Sequence, residues 1–149
     1  MHAARPAIAS DLTSLLALFR ASEVSAAAES REHLARIWAD MLAHPGVNVF
    51  VVDREEQIVA TCMLITAPNL LRGGRGHGFL ENVVTNPDFR RQGHGRAVVA
   101  AALQAAWTKG CHHVLLQSGR KDARVHHFYA RCGLVGGLRV GYVAQRSAE

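Results

Sequence analysis

The segment Phe79–Arg96, FLENVVTNPDFRRQGHGR, runs from an apolar, β-branched stretch through a proline turn into a basic stretch holding Gly93 and Gly95. The Ala-rich sequence from Arg96 to Lys109 then predicts a helix. A strand that turns through glycines into a helix leaves backbone N–H groups without intrahelical partners and aims them, with the positive end of the helix dipole, at one point. Arg90, Arg91 and Arg96 crowd that helix start, where a lone helix favours Asp or Glu, and no carboxylate occurs from Phe89 to Lys121. Such a start is frustrated unless an anion binds it. The pattern predicts a pyrophosphate cradle built from Arg90, Arg91, Gln92, Gly93, His94, Gly95 and Arg96. The competing reading is a glycine turn before an ordinary helix, because the third glycine of a dinucleotide fingerprint and the G-K-[ST] of a P-loop are both missing.

The chain has 149 residues, the size of one domain, and a single domain over 1–149 is expected. Lys and Arg total 17 against 12 Asp and Glu, with the excess concentrated in the central third. A local field of that kind suits a phosphorylated small molecule. It does not suit nucleic acid, since no tract interleaves aromatic with basic residues. Cys62, Cys111 and Cys132 are odd in number and form no C-x-x-C pair, which argues for a reducing compartment. The N-terminus lacks the apolar core of a signal peptide, and no apolar run reaches the ~18 residues of a membrane span. A cytoplasmic protein with no membrane partner is expected.

Periodicity gives the remaining elements. His2–Ile8 reads as a first strand. Ser10-Asp11 caps a helix through Phe19, and Ser22–Glu29 is a linker. Ser30 starts a second helix with an apolar stripe of Leu34, Ile37, Trp38, Met41 and Leu42, stopped at His44-Pro45-Gly46. Val47–Val52 and Ile58–Thr66 form an antiparallel hairpin. Leu70–Gly78 is a glycine-rich loop and Phe79–Thr85 the next strand. His113–Gln117 is a strand, and Asp122 caps a helix closed by Gly133. Leu134–Ala144, split by Gly136-Gly137, predicts a last short hairpin.

This order and the R-x-x-G-x-G formed by Arg90, Gly93 and Gly95 resemble the GNAT superfamily of N-acetyltransferases, whose acetyl-CoA signature, R/Q-x-x-G-x-G/A, follows the fourth strand. A second match is the family's F-Y-x-x-x-G-F, present as Phe128, Tyr129, Gly133 and Leu134. The likeness extends over nearly the whole chain in element order and is specific from Phe79 to Leu134. HGFLENVVTNPDFRRQGHG looks most like the glucosamine-6-phosphate N-acetyltransferase branch, with Glu81 at the place of a fourth-strand Glu. Two departures stand out. Asp122 and Val125 replace the N-x-x-A that often opens the last helix, and Leu134 replaces the final Phe.

The resemblance implies an α/β (α+β) GNAT fold, a mixed, mainly antiparallel sheet with helices on both faces. It also implies acetyl-CoA as co-substrate, a small-molecule primary amine as acceptor and a homodimer as the assembly. Tyr129 would protonate the departing thiolate, the alternative being an aromatic pair with Phe128 that packs the helix. Glu81 would take a proton from the acceptor ammonium, its carboxyl tuned by partial burial, or else stand as a solvated strand residue. Val83 and Val84 would meet the pantetheine arm through their backbone, with Asp122 and Phe128 also on the cofactor side. No cysteine has a partner for a covalent route, so direct attack is expected. A non-catalytic acyl-CoA-binding or sensor domain is the alternative on the same fold.

Arg72, Arg75 and His77 offer charge to an acidic or phosphorylated acceptor, or form a solvated loop. The nine histidines include the pairs His112-His113 and His126-His127. Neighbours on a strand point to opposite faces and neighbours on a helix diverge, so neither pair is a bidentate clamp and no metal is expected.

Overall fold

The computed structural model describes residues 3–24 and 30–146, so part of the expected linker, residues 25–29, lies outside the described residues. The chain divides into two compact units, Met1–Leu116 and Gln117–Glu149.

The first unit is a five-stranded sheet in sequential order, β1 (Arg5–Pro6), β2 (Val47–Arg54), β3 (Gln57–Ala67), β4 (His77–Thr85) and β5 (His113–Leu116). The first three pairings are antiparallel and β4 with β5 is parallel. The mixed, mainly antiparallel sheet is therefore as expected. Three helices accompany it, α1 (Leu12–Ala21), α2 (Arg31–Ala43) and α3 (His94–Thr108). β2 and β3 join through Glu55 and Glu56, both at positive φ (49° and 63°), as a two-residue turn matched to the strand twist requires.

Alternation along β2 assigns the faces. Val49 and Val51 pack in one cluster with Leu15 and Leu18 of α1 and Trp38 of α2. Phe50, between them, points the other way. Its register partner Cys62 donates its thiol to the Val98 carbonyl of α3 at 3.2 Å. Helices thus cover both faces, with α1 and α2 on one and α3 on the other. Val98, Val99, Ala102 and Ala106 are fully buried, so small side chains bring α3 close to the sheet.

Ser30 caps α2 as expected, its hydroxyl accepting the His33 N–H at 3.2 Å. The α2 stripe is less buried than its periodicity suggests. Only Trp38 is inside, its indole N–H on the Ala9 carbonyl, while Ile37 and Leu42 are exposed. Asp11 does not cap α1 through its side chain. Its carboxylate instead accepts from Ile8 N–H and from Arg5, whose guanidinium also holds Asp53. Pairing with Arg5 keeps the Asp11 carboxyl below its ordinary range.

Several boundaries move. β1 is only two residues long, β4 begins two residues before Phe79, and α3 begins two residues before Arg96. The second unit holds α4 (Ala123–Arg131), capped by the Asp122 carboxylate on Arg124 N–H at 2.9 Å and closed by Gly133 at φ 88°. The expected hairpin over Leu134–Ala144 is absent. No strand follows β5 among the described residues, although Gly137 at φ 77° bends the chain where the hairpin's turn was expected.

Candidate active site

The turn after β4 is built by local chemistry. Asn86 accepts the Asp88 N–H at 3.0 Å, and Pro87 opens a short 3-10 turn that delivers Arg90. Arg91 at φ 60° and Gly93 at φ 87° then bend the chain into α3, with Gly93 as N-cap. Ala97 N–H closes the first turn on the Gly93 carbonyl at 3.0 Å, which leaves the preceding N–H groups of the first turn beyond intrahelical reach. A Cβ on Gly93 would meet no protein atom within 4 Å, so within the chain itself glycine is needed there for its conformation.

The seven expected cradle residues divide by exposure. Arg90, Arg91, Gln92, Gly93 and Arg96 are exposed, and no ion pair engages the three arginines among the described residues. His94 and Gly95 are buried. The buried His94 ring sits 6.3 Å from that of Phe89, and its backbone N–H belongs to the first turn of α3. A surface bearing three unengaged guanidiniums around a glycine-opened helix start fits a pyrophosphate.

The other expected first-unit residues lie on β4 around a bulge. Met63 pairs with Glu81 and Thr61 with Val84, so β4 carries one extra residue between these pairs. Asn82, at φ 51°, lies in that interval. The extra residue reverses the alternation. Glu81 lies on the α1/α2 face beside Met63, and Val84, buried after the bulge, joins the cluster on that same face. Val83 is half-buried. The burial expected around Glu81 is not found: it pairs with Met63 in the ladder just before the bulge and is exposed.

A cavity of about 170 Å³ opens beside the bulge, lined by Leu12, Leu16, Phe19, Ile37 and Met41 from the helices and by Met63 and Asn82 from the sheet. Asn82 and the cavity were missed from sequence. An Asn within an otherwise apolar strand was the available sign, since Asn is depleted in regular strands and tolerates positive φ.

Arg72 and Arg75 sit at the opposite end of β4. The four residues from His77 to Glu81 span about 13 Å of strand at roughly 3.3 Å each. Arg72 and Arg75, both exposed, precede that stretch.

In the second unit, the Asp122 carboxylate is engaged by Arg124, with an ion pair of 2.8 Å. That contact holds its carboxyl below the ordinary range. Asp122 is therefore an ionised cap whose carboxylate oxygens accept from Arg124. Phe128 and Tyr129 are half-buried with ring centroids 5.1 Å apart in an edge-to-face arrangement.

The family model for the acetyltransferase (GNAT) family matches residues 12–134, which takes in β4, the basic turn, α3 and α4. The chain belongs to the GNAT acetyltransferase family. A curated relative, the glucosamine 6-phosphate N-acetyltransferase of Trypanosoma brucei brucei, is 35% identical over 64% of this chain and 64% of its own, so the match spans less than two thirds of that relative. A solved structure from Agrobacterium tumefaciens str. C58 is 37% identical, with a TM-score of 0.90 over 97% of this chain and 99% of that one. The crystal structure of a Trypanosoma brucei acetyltransferase is 30% identical, with a TM-score of 0.80 over 95% and 98%. The mixed sheet and its helices are thus the GNAT fold.

Proposed function

We propose that this GNAT protein transfers the acetyl group of acetyl-CoA to the primary amine of a small molecule by direct attack. The observation that carries the reading is the start of α3, where Gly93 in the left-handed region and the exposed Arg90, Arg91 and Arg96 present N–H groups and positive charge together. Acetyl-CoA supplies an activated thioester, and its pyrophosphate would be held by Arg90–Arg96 through backbone N–H groups and guanidiniums. Val83 and Val84, as the strand leaves the bulge, offer backbone groups to the pantetheine arm.

Glu81, exposed beside the cavity-lining Asn82, takes a proton from the acceptor ammonium so that the neutral amine attacks the thioester carbonyl, and Tyr129 gives one to the thiolate that departs as the C–S bond breaks. Phe128 supports the Tyr129 ring. Asp122 contributes to the cofactor side through the helix that it caps. Cysteine chemistry supports direct attack. Burial pushes the Cys62 thiol up to about 12, and burial also raises Cys111, so neither offers a thiolate nucleophile.

The acceptor class follows the relative named above, an amino-sugar phosphate. The family match runs through both units, which supports one functional domain over 1–149. Exposed Val135, Leu138, Val140 and Tyr142 support a homodimer, and three free cysteines support a cytoplasmic setting. No helix among the described residues is long and apolar enough to cross a membrane.

Release of free CoA thiol from acetyl-CoA with a panel of amines tests the reading. Turnover with glucosamine 6-phosphate well above that with glucosamine is expected. Equal rates would overturn the sugar-phosphate acceptor, and tight CoA binding without turnover on any amine would make the chain a sensor.

A further inference from the structure

The parallel pairing of β4 and β5 brings together histidines that lie 36 residues apart in the chain. His77 and His113 are register partners, so their side chains leave the sheet on the same face. The strands approach closely here. A Cβ on Gly78 would lie 2.9 Å from the Val114 side chain. His112 precedes β5 and is outside the pleat, its N–H donating to the Gly76 carbonyl at 3.0 Å. The divergence expected of neighbours on a strand therefore does not apply to His112 and His113, and their ring centroids are 3.8 Å apart. The His77 ring completes the group at 5.0 Å from His112 and 5.1 Å from His113.

We infer that His77, His112 and His113 form a binding site for a late first-row divalent metal ion, with Zn²⁺ as the reference ion. One ring nitrogen from each lies within 4.8 Å of the other two. The His77 Nδ1 to His113 Nε2 separation is 3.2 Å. Adjacent nitrogens in a tetrahedral Zn²⁺ site, with Zn–N of about 2.0–2.1 Å, stand about 3.3–3.4 Å apart. One edge of the tetrahedron is already in place, and the His112 nitrogen draws in from within 4.8 Å to complete the triangle. An all-imidazole donor set suits Zn²⁺, Ni²⁺ and Cu²⁺ and disfavours Mg²⁺ and Ca²⁺, which take oxygen. All three residues are half-buried, so the fourth position is left to water.

The site is at the beginning of β4, whereas the basic turn that leads to α3 follows its end. A metal here clips the start of β4 to the start of β5, and it stands apart from the acetyl-transfer residues. His77 was grouped from sequence with a basic loop, because only the parallel register reveals its neighbours.

Calorimetric titration of chelator-treated full-length protein with ZnCl₂ tests the site. One saturable Zn²⁺ per chain is expected, weakened at least tenfold in His77→Gln and in His113→Gln and unchanged in a His126→Ala, His127→Ala control. Co²⁺ should give the visible ligand-field bands of a tetrahedral site in wild type and lose them in the two variants. Should a variant misfold, Zn²⁺-induced shifts of histidine ring nitrogens in the wild-type NMR spectrum decide the matter, with three rings expected to respond. Absence of saturable binding in wild type, equal affinity in the folded variants, or shifts confined to other histidines would overturn the proposal.

Discussion

Glu81 lies directly opposite Met63 across the β3–β4 ladder, and the register slips by one residue before Thr61 meets Val84. The slip turns both Glu81 and Val84 toward the α1/α2 face and leaves Asn82 at the cavity. If Glu81 is the base, Glu81→Gln should lower kcat/KM on the order of 10²-fold. A substrate amine of lower intrinsic pKa, already largely neutral, should lose less. Steady-state kinetics with two amines of different basicity would check this, and equal losses on both would remove the proton-transfer role.

The helix start separates two uses of glycine. Gly93 sits at φ 87° with open space around it, so Gly93→Ala should cost stability, about 1–2 kcal/mol, through backbone strain. Gly95 is buried at the second position of α3, and Gly95→Val should weaken acetyl-CoA binding by at least tenfold in protein that remains folded. Denaturant melts and calorimetry read the two effects. Unchanged acetyl-CoA affinity in Gly95→Val would count against the pyrophosphate cradle.

Much of this arrangement was legible before any coordinates, for identifiable reasons. Ser30 and Asp122 announce helix starts because their side chains satisfy orphan N–H groups, and both do so. Gly93 marks a turn that needs positive φ. What the sequence hid depends on pairing between distant segments. The bulge at Asn82 is a mismatch of two strands, the neighbours of His77 follow from a parallel register, and the exposure of Ile37 depends on how much of α2 the sheet covers. The Leu134–Ala144 hairpin failed because an alternating apolar segment needs a ladder partner as well as a pattern.

Tyr129→Phe deletes one hydroxyl and retains the edge-to-face contact with Phe128. An acid acting on the leaving thiolate is felt mainly in the transition state, so kcat should fall on the order of 10²-fold with little change in acetyl-CoA affinity. Wild-type turnover in this variant would make Tyr129 a packing residue.

Cys62 is fully buried, with its thiol on the Val98 carbonyl and its pKa pushed up to about 12. The thiolate is the reactive species, so Cys62 should resist alkylation in native protein at pH 8 and react on unfolding. Mass mapping after iodoacetamide treatment would show this. Rapid native labelling of Cys62 would contradict the packing of α3 on the sheet.

Asp11 joins the first strand to the start of α1 through Arg5, at 2.8 and 3.0 Å, and Arg5 also holds Asp53. Pairing with Arg5 lowers the Asp11 carboxyl from its ordinary 3.8. A carboxyl depressed in the folded state contributes stability that is present above its unfolded value and is lost as pH falls through its folded value. Arg5 stays charged throughout, so Asp11 alone titrates within this pair. Asp11→Asn should therefore destabilise the protein at pH 7 by about 1–2 kcal/mol, a range kept modest because the Arg5 side chain is partly exposed and its field is screened. The difference between wild type and variant should shrink as pH drops below about 4, where the unfolded chain's carboxyl takes up its proton, and go on shrinking toward the lower folded value. Urea melts of both proteins at pH 7 and pH 3 measure that difference. A gap that stays constant across this range would show that Asp11 acts by shape and not by charge.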